Sequence, residues 1–360
     1  MVELADIFRL HGPQYRAQFG ERMPPSPLRA MHDIERCRTA ALGGQLYACQ
    51  PCGSDHYSDH SCKNRHCPTC QNDQAEAWLD HHKSLLLPVP HFMVTFTLPE
   101  ALRALARAHQ KTLYTLLFRT SSEALHVLAS DPRFIGGRLG MVGVLHTWTR
   151  DLLYHPHVHS IVAGGGLAAD GPWLPSRHAF LVHVKPLSIL FRATFRDQLK
   201  KTDLFPLVDE QGWQKDWGVH SPPVGHGEPA FRSLAPYIFR VAMSNNRILT
   251  LEDGHVTFQD KEAATAQVTY STVRAEEFLR RFLQHVLPDR FINVRSSGLL
   301  SPGNRHVLNR ARPWLASTAT PTPPALKPVV QPPPCAPRCP NCASLLILVQ
   351  TLRPTSRWPP

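Results

Sequence analysis

HPHVHSIVAGGG, residues 155–166, sets His155, His157 and His159 on alternate positions and runs straight into an apolar and glycine stretch. Side chains on a β-strand alternate between faces, so His157 and His159 point together while Val158 faces a core on the other side. Two neutral imidazoles side by side can chelate one divalent ion. Ring nitrogens suit manganese, zinc or iron, and hold magnesium when water and phosphate oxygens complete its shell. A lone histidine pair is more often ordinary hydrogen-bonded packing. The metal reading draws on Val158 between the two, on the buried run after them, and on a second strand, LGMVGVLHTW (139–148), that brings His146 alongside. His146 is the preferred third ligand, with His155 and Asp151 as competitors.

Outward from this strand the texture is that of an α+β domain. HFMVTFTL (91–98) reads as a strand, residues 99–129 as one or two helices opening near Pro99, and PLSILFRATFRDQLKK (186–201) and SLAPYIFRVAM (233–243) as helices. RILTLEDGHVTF (247–258) reads as a hairpin turning at Asp253 and Gly254, and RAEEFLRRFLQHVL (274–287) as a final helix. Strands and helices mix without strict alternation, which predicts an antiparallel sheet with helices packed on it. Four regions are expected: a helical arm over 1–34 ending in the broken stretch MPPSPLRA, a cysteine-rich domain over 35–80, the α+β domain over 85–310, and a Pro-rich tail over 311–360 that carries CAPRCPNC.

Bulk properties narrow the partner. Lys and Arg total 39 against 28 Asp and Glu, a formal charge of +11 over 360 residues, which favours a polyanion through counterion release. Nucleic acid is the leading candidate. No apolar run approaches the ~20 residues of a membrane span, and the acidic start MVELADIFRL is unlike a signal peptide. The expected location is the cytoplasm, associated with the nucleoid. There, the 9 cysteines are read as metal ligands or free thiols rather than disulfides.

Six of the 9 cysteines lie in residues 35–74, a segment too poor in aliphatic side chains to bury a core without a metal. Cys49-x-x-Cys52 and Cys67-x-x-Cys70, 14 residues apart, have the spacing by which four thiolates close a structural zinc site. Cys37, Cys62 and His66 either form a second site or replace one of those four. Cys339 and Cys342 make only half a site, with Cys335 as the near helper. Lys63 and Arg65 between the knuckles suit contact with phosphates.

A metal site of this kind serves one of two chemistries. Hydrolysis in the amidohydrolase manner needs an eightfold strand–helix rhythm that is missing. The other uses the cation to polarise a phosphodiester while a side chain attacks, and Tyr237, among arginines and downstream of the histidine strand, is the candidate nucleophile. Arg240 and Arg247 are candidate phosphate clamps, and Asn245 and Asn246 lie two turns further on, suited to cap or turn duty.

The ordered set CRTAALGGQLYAC, HSCKNRHCPTCQ, LHTW, HPHVHSIVAGGG, YIFRVAMSNNRI and EEFLRRFLQHVLP resembles the rolling-circle transposases of the insertion-sequence-ninety-one family, within the HUH (His, hydrophobe, His) endonucleases. The likeness runs from about residue 5 to residue 310. It implies a zinc-binding DNA-recognition segment before an endonuclease with an RRM-like antiparallel sheet. It also implies Mg or Mn on His157 and His159, and nicking of single-stranded DNA by Tyr237 with retention of the 5′ phosphate. Its implied partners are single-stranded DNA at element ends, target DNA and host replication proteins. Three departures stand out: Ser233 replaces the earlier tyrosine of two-tyrosine relatives, Pro236 requires Tyr237 to sit near a helix start, and VTYSTVRAEEF is short for a DNA-contacting hairpin. The alternative is a zinc-dependent DNA-binding protein without catalysis, descended from a transposase.

Overall fold

The computed structural model describes residues 2–70, 87–177, 180–215, 217–226, 242–261, 267–316 and 337–355. The chain divides into two compact units, one of Met1–Asn72, Met243–Leu279 and Pro321–Pro360, the other of Asp73–Ala242 and Arg280–Thr320. In chain order the elements are α1 (Leu4–Phe19), α2 (Pro25–Arg36), β1 (Gly44–Ala48), β2 (Asp55–Asp59), β3 (Pro90–Thr97), α3 (Arg103–Ala108), α4 (Gln110–Ser130), β4 (Gly140–Trp148), β5 (Tyr154–Ala163), β6 (Gly165–Leu167) and β7 (Trp173–Pro175). There follow α5 (Val184–Leu199), α6 (Gln211–Gln214), β8 (Val219–His220), β9 (Pro223–His226), β10 (Ile248–Glu252), β11 (His255–Lys261), β12 (Val268–Arg274), α7 (Ala275–Leu283), β13 (Val294–Gly298), α8 (Arg305–Ala316) and β14 (Ile347–Leu352).

In the first unit α1 and α2 pack together, burying Leu4, Ile7, Phe8, Met31 and Ile34, and Arg16 pairs with Glu35. The prolines of MPPSPLRA start α2 rather than break the chain: Pro24 is its N-cap and Pro25 its first residue, where no backbone N–H is needed. β14, β1 and β2 form one antiparallel sheet and β10, β11 and β12 another. The β10–β11 turn lies at Asp253 and Gly254, both with positive φ (48° and 72°), as a two-residue hairpin turn requires. VTYSTVR is the third strand of that sheet, and Phe258 of β11 packs on Phe278 of α7 with ring centroids 5.8 Å apart.

The second unit is built on the antiparallel order β13-β4-β5-β3-β8, with β9 also paired to β3. The alternation of β3 and β5 sorts their side chains between two apolar layers. Phe92, Val94, Phe96, Val158 and Val162 face a core with Leu113, Tyr114 and Leu117 of α4 and Leu187, Phe191 and Phe195 of α5, where Phe96 meets Phe191 edge-on at 5.0 Å. Ile161 and Ala163 face the other way, with Val142, onto Leu308, Ala311 and Leu315 of α8. β4 is buried along nearly its whole length because both of its faces are covered, which explains its uninterrupted apolar run. The region expected as one or two helices is two, α3 and α4, parted at His109. The chain is thus mixed helix and antiparallel sheet. Among the described residues, no helix is long and apolar enough to cross a membrane.

Candidate metal centre and cysteine clusters

Register explains how three imidazoles meet. His157 on the central strand β5 pairs with His146 of β4 and Thr97 of β3, while His159 pairs with Val144 and Thr95. Directly opposed residues share a face, as do positions i and i+2, so the three histidines and both threonines stand on the face that carries Ile161 and Ala163. The β4–β5 ladder shifts register between His146 and Trp148. The extra residue of that bulge is on β5, in the stretch that includes Pro156, which has no N–H to give a ladder. Trp148 stacks on His146 (centroids 4.7 Å, planes at 17°) and fixes its ring.

The ring nitrogens of His146, His157 and His159 lie within 4.8 Å of one another. His157 Nδ1 is 2.6 Å from the His155 carbonyl, to which it donates, so its Nε2 carries a lone pair. That Nε2 is 3.0 Å from Nε2 of His159, whose Nδ1 is 2.9 Å from Thr95 Oγ1. Hydrogen-bond logic assigns the protons: without a cation His159 donates from Nε2 to His157, and Thr95 donates to Nδ1. With the proton moved to Nδ1, Thr95 becomes the acceptor and both Nε2 atoms offer lone pairs. Desolvation pushes His157 down to about 3, helped by the neighbouring His159 and opposed by the hydrogen bond to the His155 carbonyl, and pushes His159 down to about 4. Both imidazoles are therefore neutral at neutral pH. This donor set fits a divalent cation with open positions for water or phosphate oxygen, and three nitrogens favour manganese over magnesium. Because Thr95 orients His159, Thr95→Val is expected to weaken Mn binding by about 10- to 100-fold in calorimetric titration. Unchanged affinity would remove Thr95 from the ligand's support.

The competitors for third ligand stand apart. His155 contributes its carbonyl to His157, with its ring 5.3 Å away, and is not in the converging group; nor is Asp151, whose carbonyl accepts from Arg281. The sequence reading missed Thr95, Trp148 and His285. His285 is fully buried, its Nδ1 3.2 Å from Thr147 Oγ1 and its Nε2 3.1 Å from the Leu152 carbonyl, so both nitrogens are engaged in packing the bulge. His285 lies in the turn just beyond α7, and nothing in the sequence marked its partners.

The described cysteines form two clusters, and the single site expected from Cys49, Cys52, Cys67 and Cys70 is divided between them; Cys335 lies outside the described residues. Cys37, Cys62, Cys67 and Cys70 gather at the end of α2, with Sγ separations of 3.4 Å (Cys37–Cys70), 3.6 Å (Cys62–Cys70) and 3.6 Å (Cys37–Cys67). Cys49 and Cys52 gather with Cys339 and Cys342. The hairpin enforces the split. Ala48 pairs with Asp55, so Cys49 and Cys52 sit in the turn, whereas Gly44 pairs with Asp59, so the chain leaves toward Cys62 at the opposite end. Five extended residues span roughly 15 Å, far beyond the ~3.8 Å that separates sulfurs around one zinc. In the first cluster the Cys62 and Cys67 thiols hold Cys37 far below a free thiol, and hydrogen bonding to Cys37 pushes Cys67 up to about 12. Crowded thiolates repel one another, which a divalent cation relieves.

The remaining basic candidates are scattered. Lys63 and Arg65 lie exposed in the 60–70 loop. Arg247 is held by its own sheet, its Nε donating to the Gln259 carbonyl at 3.0 Å and its Nη2 3.5 Å from Asp260. Asn245 accepts from the Leu4 N–H at the start of α1 and donates to Thr69, a capping duty. Tyr237 and Arg240 lie outside the described residues.

Residues 140–307 match a family model described as a putative transposase, and residues 7–98 one described as a transposase zinc-binding domain. The chain is 40% identical over 325 residues to the putative transposase y4qJ of Sinorhizobium fredii, covering 84% of this chain and 81% of that protein. It is 29% identical over 283 residues to the transposase for insertion sequence element IS801 of Pseudomonas savastanoi pv. phaseolicola, covering 74% and 68%. No solved structure matches.

Proposed function

Because the chain belongs to the insertion-sequence-ninety-one transposases, we propose that it nicks and rejoins single-stranded DNA at the ends of its element through a 5′-phosphotyrosine. The observation that carries this reading is the convergence of His146, His157 and His159 on one face of an antiparallel sheet, with the His-Val-His run on the central strand. That sheet, helix-covered on its far side, supports an HUH-type, RRM-like core. The catalytic cation, Mg or Mn, would be held by these imidazoles and would polarise the scissile phosphodiester.

In this reading the Tyr237 oxygen attacks phosphorus, forming the O–P bond as the bond to the 3′ oxygen breaks. The phenolic proton leaves, and the 3′ oxygen departs as a free hydroxyl. The phosphotyrosine conserves the cleaved linkage, so a later 3′ hydroxyl reseals the strand and restores the phenol. The element-end and target strands are the partners, and host replication proteins are expected to extend the freed 3′ hydroxyl. The cysteine cluster at Cys37, in a zinc-binding domain, stabilises the segment that presents Lys63 and Arg65 to DNA.

The test is a labelled single-stranded oligonucleotide bearing the element end, incubated with protein and Mn. Wild type is expected to give a covalent adduct that Tyr237→Phe reduces by at least about 10³-fold. Free 5′ phosphate with an indifferent Tyr237→Phe would indicate hydrolysis instead, and intact DNA binding with no adduct would indicate a binding protein.

A further inference from the structure

Cys339 and Cys342 lie in a C-terminal stretch that a run of prolines separates from the domain before it. Yet its strand β14 pairs with β1 along its length, and its sulfurs meet the first knuckle: Cys342 Sγ is 3.3 Å from Cys49 Sγ, 293 residues away, and Cys339 Sγ is 3.5 Å from Cys52 Sγ. We propose that Cys49, Cys52, Cys339 and Cys342 form a second tetrathiolate zinc centre, separate from the cluster at Cys37, that fastens the β14 segment to the β1–β2 hairpin. This goes beyond the nuclease reading and does not rest on it.

Three observations carry the proposal. Zn–S bonds of about 2.3 Å at the tetrahedral angle set sulfurs about 3.8 Å apart, and these four Sγ atoms all lie within 4.8 Å of one another. The two knuckles are built alike. Cys49 N–H donates to the Ser54 carbonyl at 2.9 Å and Gly53 N–H to the Cys49 carbonyl at 2.8 Å; Cys339 N–H donates to the Ser344 carbonyl at 2.8 Å and Ala343 N–H to the Cys339 carbonyl at 2.8 Å. Gly53 and Ala343 occupy equivalent places with φ of 69° and 60°, and the left-handed conformation is one that alanine rarely adopts. Such turns aim backbone N–H groups and both sulfurs at one point. Finally, β14 is not held by apolar burial, since Ile347, Leu348 and Val349 stay 47%, 49% and 59% exposed. The ladder to β1, the sulfur cluster and polar contacts such as Thr355 to the Ala40 carbonyl attach it.

Polar contacts brace the centre. Asn341 Nδ2 donates to Ser54 Oγ at 3.3 Å, joining one knuckle to the other, and His56 Nε2 lies 3.2 Å from Cys339 Sγ, placed to donate to a thiolate. Loading the site releases four thiol protons to solvent for one divalent cation, leaving a doubly negative centre that a histidine N–H and the knuckle amides stabilise.

Cobalt titration of the full chain tests this, because the thiolate-to-cobalt charge-transfer band counts sulfur-bound metal and is blind to the three histidines. Wild type is expected to saturate at two tetrathiolate centres per chain. Cys339→Ser/Cys342→Ser and Cys49→Ser/Cys52→Ser should each keep half the absorbance, and combining all four substitutions should remove no more. Saturation of wild type at one centre would overturn the proposal, as would an unchanged band in Cys339→Ser/Cys342→Ser. The wild-type count needs no substitution, so it decides the matter even where a variant fails to fold.

Discussion

His157→Ala is expected to abolish the proposed metal-dependent nicking, by about 10³-fold or more, while zinc content and affinity for single-stranded DNA stay near wild type. His157 occupies the centre of the cluster: its Nε2 faces that of His159, and its β5 position lies opposite His146. Losing an orienting neighbour of a ligand costs about 10- to 100-fold, and losing the ligand itself costs more. Its buried ring also accepts the His159 proton, so the substitution unlocks the His159 tautomer. DNA affinity is expected to be spared because the proposed phosphate contacts come from basic side chains elsewhere. Single-turnover nicking beside fluorescence anisotropy reads both quantities. Equal loss of the two would refute the division of labour.

Cys67→Ser is expected to remove one zinc per chain and DNA recognition together. Cys67 is 1% exposed and shares its cluster with Cys37, Cys62 and Cys70. The loop around it offers few aliphatic side chains, so the metal supplies folding free energy directly. That energy is about 10–16 kcal/mol in isolated zinc-finger peptides, enough to decide whether such a segment folds. Metal analysis and limited proteolysis after residue 60 report the outcome. Full zinc content with native protease resistance would mean that the fourth sulfur is dispensable.

The histidine strand was legible because period-two alternation fixes which residues share a face, and its neighbour's apolar run marked an adjacent strand carrying His146. The antiparallel mixture and the Asp253–Gly254 turn followed from the same local rules. Pairing between distant segments was not legible. β13, a short polar strand of VRSSG, is set by its ladder to β4 and by the contacts of Ser297 with Ser122 and His126, and α8 by packing Leu308, Ala311 and Leu315 under the sheet. Knuckle spacing announced cysteine sites but not their partners, since the hairpin between Cys52 and Cys67 carries the two pairs apart and a segment nearly 300 residues later supplies the other half of one. Thr95 was unreadable for a similar reason: a threonine becomes a ligand's support only through register.

The proposed chemistry requires three imidazoles sharing one cation. Electron spin-echo modulation of Mn(II) bound to the full chain tests this directly. Nitrogen couplings are predicted in wild type, reduced in His146→Ala and lost in a variant carrying His157→Ala and His159→Ala. Manganese that binds without nitrogen coupling, or couplings that survive those substitutions, would contradict the assignment.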